Sequence, residues 1–178
     1  MAREEYPPAP RDEVDDVVAA WHAQRPDFDV APLAVFSRLL RIHRHFMKIR
    51  RSVYAQHGLE AWEFEMLAAL RRAPDHVLTA GQLMTDTFVS SGTITNRIDR
   101  MQAKDLLRRA SSPQDGRVVH VVATEKGLAA VDNAMQQLLE TEREILRQFA
   151  PEDNVQAANW MRQILLALAA RNAPCEDE

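Results

Sequence analysis

Apolar positions recur every three to four residues along most of the chain, the spacing of helices that bury one face. Val14, Val17, Val18 and Trp21 form a short stripe that Pro26 ends. Pro32 lies near the start of a longer element, where its missing N–H does no harm. There Leu33, Phe36, Leu39, Leu40, Ile42, Phe46, Ile49 and Val53 mark one face, and Arg38, Arg41, Arg44, Lys48 and Arg51 the other. His57-Gly58 stops it, since glycine readily ends a helix. The pattern predicts a further helix over residues 60–72, with Phe64, Leu67, Ala68 and Leu70 inward and Pro74 closing it. Thr79 and Gln82 have capping-box spacing and open a short helix whose apolar residues are Leu83, Met84 and Phe88. Ser90 caps the next, which runs to Lys104, and Ile94, Ile98 and Met101 fall on one stripe of it. Ser91, Thr95, Asn96 and Arg100 occupy the opposite side.

The period then changes. Leu106 to Ala110 and Val118 to Ala123, the second rich in β-branched residues, are the only strand-like stretches. The turn formers between them, residues 111–117, make this a β-hairpin. After Thr124, a helix cap, Leu128, Val131, Met135, Leu138, Glu142, Ile145 and Phe149 return to three-four spacing until Pro151. A last helix over residues 152–171 carries Val155, Trp160, Met161, Ile164, Leu165 and Leu168. The order predicts a mainly α fold with a small β-hairpin wing: a winged helix-turn-helix flanked by N- and C-terminal dimerisation helices. The expected segments are a disordered tail (1–12), N-terminal helices (13–60), the reader unit (61–124), C-terminal helices (125–171) and an acidic tail (172–178). The outer helices carry more apolar face than one small winged unit can cover, which points to a homodimer.

Composition narrows the function. With 178 residues, 46% of them apolar, the chain can bury a real core, and only five glycines fit a helical protein. No apolar run reaches the roughly 18 residues of a membrane span, and the N-terminus lacks the apolar stretch of a signal peptide. A soluble cytoplasmic protein with no membrane partner is therefore expected. Cys175 is the one cysteine, which rules out an internal disulfide framework or a thiolate-rich zinc site. His43 and His45, two apart on a helix, point different ways, and no HExxH, CxxC or glycine-rich phosphate loop occurs. Neither an enzyme nor a metal or cofactor site is expected.

The net charge of −4 argues weakly against nucleic acid, but the signs are segregated. Residues 90–117 hold six bases and three acids, a local charge of +3. Short hydroxyl and amide side chains on the outward face of the 90–104 helix suit base edges and phosphates in a major groove. In the hairpin, Asp115 and Arg117 have one residue between them, and Asp115 can hold Arg117 extended toward a narrow, negative minor groove or form a plain surface ion pair.

The runs Ser90-Ser-Gly-Thr-Ile-Thr-Asn-Arg-Ile-Asp-Arg-Met101, Asp115-Gly-Arg117 and Ala123-Thr-Glu-Lys-Gly127 resemble the MarR family of bacterial regulators over residues 33–170. Ala123 departs from the leucine usual before that threonine. The resemblance implies a triangular homodimer with intertwined terminal helices. It also implies a pseudo-palindromic duplex with half-sites ~10 bp apart and a wing in each flanking minor groove. The expected DNA contacts are Ser90, Ser91, Thr93, Thr95, Asn96, Arg100, Asp115 and Arg117.

The N-terminal extension, with Trp21, residues 25–29 and Pro32, is similar to a urate-responsive subgroup of that family. That likeness implies a small-molecule effector, a urate-like anion or aromatic acid, met by Trp21, Glu65, Arg72 and Arg97, with Glu65 where the subgroup has Asp. The expected function is a ligand-responsive regulator, a repressor by the family's habit. The alternative is a winged-helix protein-interaction adaptor without DNA binding, whose basic face would meet an acidic partner.

Overall fold

A computed structural model describes residues 10–111 and 119–171, with Ser111 described by its backbone only. The contacts divide the chain into two compact units, the first ending at Ala55 and the second beginning at Gln56.

The first unit is two helices, α1 (Glu13–Gln24) and α2 (Ala31–Gln56). Asp12, placed in the tail by its sequence, instead caps α1: its carboxylate accepts from the Val14 and Asp15 N–H groups, and the Asp15 side chain accepts from the Asp12 N–H. Arg38 on α2 holds this cap with both arms, donating to Asp12 at 2.7 and 2.9 Å and to Asp15 at 2.7 Å. Arg41 makes a second tie, to Glu13. The Arg38 hydrogen bond, aided by the Val14 and Asp15 amides, lowers the Asp12 pKa from 3.8 to about 2. Because the folded value lies below the ordinary one, the stabilisation from Asp12 is complete above pH 3.8 and is lost as pH falls through about 2. Carboxyl NMR titration of Asp12 is expected to show this low midpoint in the wild type and a higher one in Arg38→Ala, where the Val14 and Asp15 amides remain.

In the second unit, α3 (Ala61–Arg72) ends before Pro74, and a 3-10 turn at Pro74–His76 leads into β1 (Val77–Thr79). Helices α4 (Ala80–Thr87) and α5 (Ser91–Ala103) follow, then β2 (Leu107–Ser111), β3 (Val119–Ala123), α6 (Glu125–Leu146) and α7 (Pro151–Arg171). The Thr79–Gln82 capping box forms as its spacing predicts, and the Thr124 hydroxyl accepts from the Gly127 N–H to start α6. The core unites Phe64, Leu67 and Leu70 of α3, Leu83 of α4, Ile94, Ile98 and Met101 of α5, and Val131 and Leu138 of α6.

Two expectations need correction. The hairpin is not the whole sheet, because β1 joins it in the order β1-β3-β2, antiparallel throughout, with Leu78 opposite Val121 and Arg109 opposite Val121 on the other side. Phe88, read as an apolar residue of the short helix, stands just past its last turn. It is 95% exposed at the helix end, with the left-handed backbone angles φ 53° and ψ 43°. A non-glycine residue there costs roughly 1–2 kcal/mol. Asp115 and Arg117 lie outside the described residues, as does Cys175.

Past Leu138, α6 leaves Leu139, Ile145 and Leu146 in the open, and α7 exposes most of its apolar residues. Among the described residues α7 buries none of its side chains, and Val155, Trp160, Met161, Leu165 and Leu166 are all exposed. No helix among the described residues is long and apolar enough to cross a membrane.

Candidate nucleic-acid interface

Helices α4 and α5 are joined by the short turn Phe88–Ser90 and lie against one another. Because Ile94, Ile98 and Met101 fix the inner face of α5, the 3.6-residue period turns Ser91, Thr95 and Asn96 outward. Ser90, Thr93 and Arg100 are exposed as well. Ser90 precedes α5 without capping it through its side chain; its hydroxyl instead pairs with that of Thr93 at 3.0 Å. The Thr95 hydroxyl donates to the Ser91 carbonyl at 3.1 Å, which settles its rotamer and leaves its oxygen able to accept.

The base of this helix is built on the start of α3, which the sequence pattern did not mark as part of a site. Glu60 and Glu63 close a capping box on the first turn, the Glu63 carboxylate accepting from the Glu60 N–H at 2.9 Å. Glu63 is wholly buried. Lys104 Nζ sits 2.7 Å from its other oxygen, off the line of a hydrogen bond, so charge holds the pair. Glu60 Oε1 accepts from Arg100 at 2.7 Å, and Glu60 Oε2 accepts from the Trp62 indole N–H at 2.7 Å. The indole hydrogen bond, with Arg100 and Lys104 nearby, lowers the Glu60 pKa and keeps this carboxyl ionised at neutral pH. The Trp62 ring lies beneath two guanidinium groups, Arg97 at 5.2 Å and Arg100 at 4.8 Å. Trp62, Gly92, Thr93, Asn96, Arg97 and Arg100 line an open cavity of about 420 Å3 on this face. Behind α5, Arg109 pairs with Asp99 at 2.7 Å.

The residues expected to meet an effector do not gather in one cluster within the second unit. Arg97 lies over Trp62 at the first turn of α3, and one of its guanidinium nitrogens is buried with no hydrogen-bond partner. Arg72 ends the same helix, ~15 Å away along its axis at 1.5 Å per residue. Glu65 and Arg72 are both exposed. Trp21 belongs to the first unit, where it stacks with Phe28 at 6.4 Å. A cavity of about 530 Å3 opens beside it, lined by Trp21, Phe28, Leu33 and the carboxylates of Asp27 and Asp29, with no basic residue. Among the described residues no group of three or more His, Cys, Asp or Glu could hold a metal ion.

A helix-turn-helix whose second helix presents short polar side chains, followed by an antiparallel hairpin, defines a winged-helix protein. Residues 57–118 match the MarR family. Over 143 residues the chain is 34% identical to the HTH-type transcriptional regulator PecS of Dickeya dadantii (strain 3937), covering 79% of this chain and 86% of that protein. It is 33% identical over 101 residues to the HTH-type transcriptional regulator MhqR of Bacillus subtilis (strain 168), covering 57% of this chain and 68% of the other. Among solved structures, AbsC, a MarR family transcriptional regulator from Streptomyces coelicolor, superposes with a TM-score of 0.68 at 23% identity, over 80% of this chain and 97% of that one. MepR in the S. aureus MepR–DNA complex superposes with a TM-score of 0.64 at 22% identity, over 75% of this chain and 98% of that one. The chain belongs to the MarR family of winged-helix transcriptional regulators, and it is not an enzyme.

Proposed function

We propose that this regulator binds a pseudo-palindromic duplex as a homodimer, with α5 of each subunit in a major groove and Arg117 of each wing in a flanking minor groove. The observation that carries the reading is the outward face of α5. Ser91, Thr93, Thr95, Asn96 and Arg100 are exposed together, opposite a stripe that is fully buried. Asn is the side chain that pairs bidentately with adenine, and Arg the one that pairs with guanine. The bare apolar face of α7 supports the second subunit, because contiguous exposed apolar surface of this kind marks an association site. The solved MepR–DNA complex shares this fold.

The proposal extends to regulation: a repressor released by a small anionic aromatic molecule, urate or another purine metabolite. One feature of the second unit favours it, the buried guanidinium nitrogen of Arg97 that has no hydrogen-bond partner. Titrating urate and aromatic acids into the protein–DNA complex is expected to dissociate it, and an intact complex with no heat of binding refutes the effector reading alone.

The DNA reading is tested by fluorescence anisotropy on the duplex upstream of the chain's own gene, at several salt concentrations. Affinity is expected to fall steeply with salt, since each neutralised phosphate releases counterions. Asn96→Ala is expected to weaken operator binding by ~1–3 kcal/mol while changing binding to unrelated duplex far less. Light scattering is expected to give twice the subunit mass. An adaptor that does not read DNA would show no salt-dependent binding at all.

A further inference from the structure

The cations at the end of the reader helix are not free. Lys104 is committed to the buried Glu63. Arg100 is held by Glu60, and the indole under Arg97 and Arg100 is itself oriented by the other oxygen of Glu60. The two acids differ in kind. Glu63 is wholly inside the fold, while the Glu60–Arg100 pair is half exposed, 50% and 52%, and open to solvent. A pair of that exposure is weak and readily exchanged. It also stands at the cavity that Thr93 and Asn96 share, on the face that a duplex would approach.

We propose that Glu60 sets DNA affinity and specificity by competing with the duplex for Arg100. This rests on the DNA-reading assignment for α5. To contact DNA, Arg100 exchanges a carboxylate for a phosphate or a base edge. A bidentate guanine contact compensates the loss of the Glu60 pair, and a lone phosphate compensates it poorly. Glu60 therefore weakens binding to every sequence, and weakens it most where Arg100 finds no base partner. It acts through Arg100, as a positioning residue, without touching DNA. Arg100 lies over the Trp62 ring, 4.8 Å from its centroid, so the exchange is a short swing of the arginine head.

The experiment compares wild type, Glu60→Gln, Arg100→Ala and the double variant on an operator and on an unrelated duplex of equal length. Gln is isosteric with Glu and its carbonyl can still accept from the Trp62 indole, so the fold is expected to hold, with unchanged thermal unfolding as the control. Glu60→Gln is expected to tighten binding to the unrelated duplex about fivefold, the size of an exposed ion pair, and to the operator by less, so that the specificity ratio falls. In the Arg100→Ala background the same substitution is expected to change nothing. Equal gains in both backgrounds would mean that removing any acid near the duplex suffices, and would overturn the proposal. So would the absence of any gain in a protein that binds DNA. A wild type with no salt-dependent DNA binding removes the DNA reading itself, and this inference with it.

Discussion

Gly127→Ala is expected to destabilise the second unit by about 3 kcal/mol or more, the upper range for forcing atoms into a packed interior. A Cβ on Gly127 would lie 2.0 Å from the Leu106 carbonyl oxygen and 3.0 Å from both its carbonyl carbon and Leu67 Cδ2. None of these can retreat cheaply. The Leu106 carbonyl accepts from the Thr124 N–H at 3.2 Å, and Leu67 is fully buried in α3. The clash sits where β3 hands over to α6, whose first turn depends on Thr124 and Gly127 bonding to each other at 3.0 Å. For a chain of this size the melting temperature is expected to drop by roughly 6–12 °C, at ~2–4 °C per kcal/mol. Thermal unfolding followed by circular dichroism checks this, and a midpoint within about 2 °C of wild type would show that α6 can shift away from Leu106.

Gly127 also marks how far the sequence could be read. As part of the Thr124 to Gly127 run it was visible as a motif, but its reason is a carbonyl on the far side of the hairpin, which no local pattern records. Helix ends were legible where chemistry is local: Pro26, Pro74, the Thr79–Gln82 box and the Thr124 cap. The inner and outer faces of α5 were legible because Ile94, Ile98 and Met101 keep the helical period without interruption. Strand β1 was not, because three residues make no period and Val77 to Thr79 become a strand only by pairing with β3. Phe88 misled because hydrophobicity says nothing of a left-handed backbone that turns the ring to solvent. Glu63 falls four residues before Leu67, on the apolar face of α3, and that misplaced charge was the available signal. What makes it tolerable there is Lys104, from the end of another helix.

The local charge of the reader region needs the same adjustment. Of its six bases, Arg100, Lys104 and Arg109 are already paired with Glu60, Glu63 and Asp99. The surplus still attracts a duplex over the range of the Debye length, ~10 Å at 0.1 M salt. Contact affinity, however, depends on which pairs open. An exposed pair such as Glu60–Arg100 tunes binding, and a pair anchored in the core cannot, so the two acids of one capping box divide between recognition and stability.

The stability side is tested at Lys104. Lys104→Met is expected to destabilise the second unit by about 2–4 kcal/mol, because it strands a carboxylate that is 0% exposed and whose ion pair, among the described residues, is with Lys104. The Lys104 side chain is partly open to water, at 44% exposure, so the loss falls toward the lower end of what breaking a fully buried pair causes. Adding Glu63→Gln to Lys104→Met is expected to recover most of the loss, since the neutral amide can still accept the Glu60 N–H through its oxygen and needs no counter-charge. Parallel denaturant titrations of the wild type, the two single variants and the double variant give the coupling between the residues directly. Additive single-variant losses would mean that water reaches Glu63 and that Lys104 is a surface residue free to meet DNA.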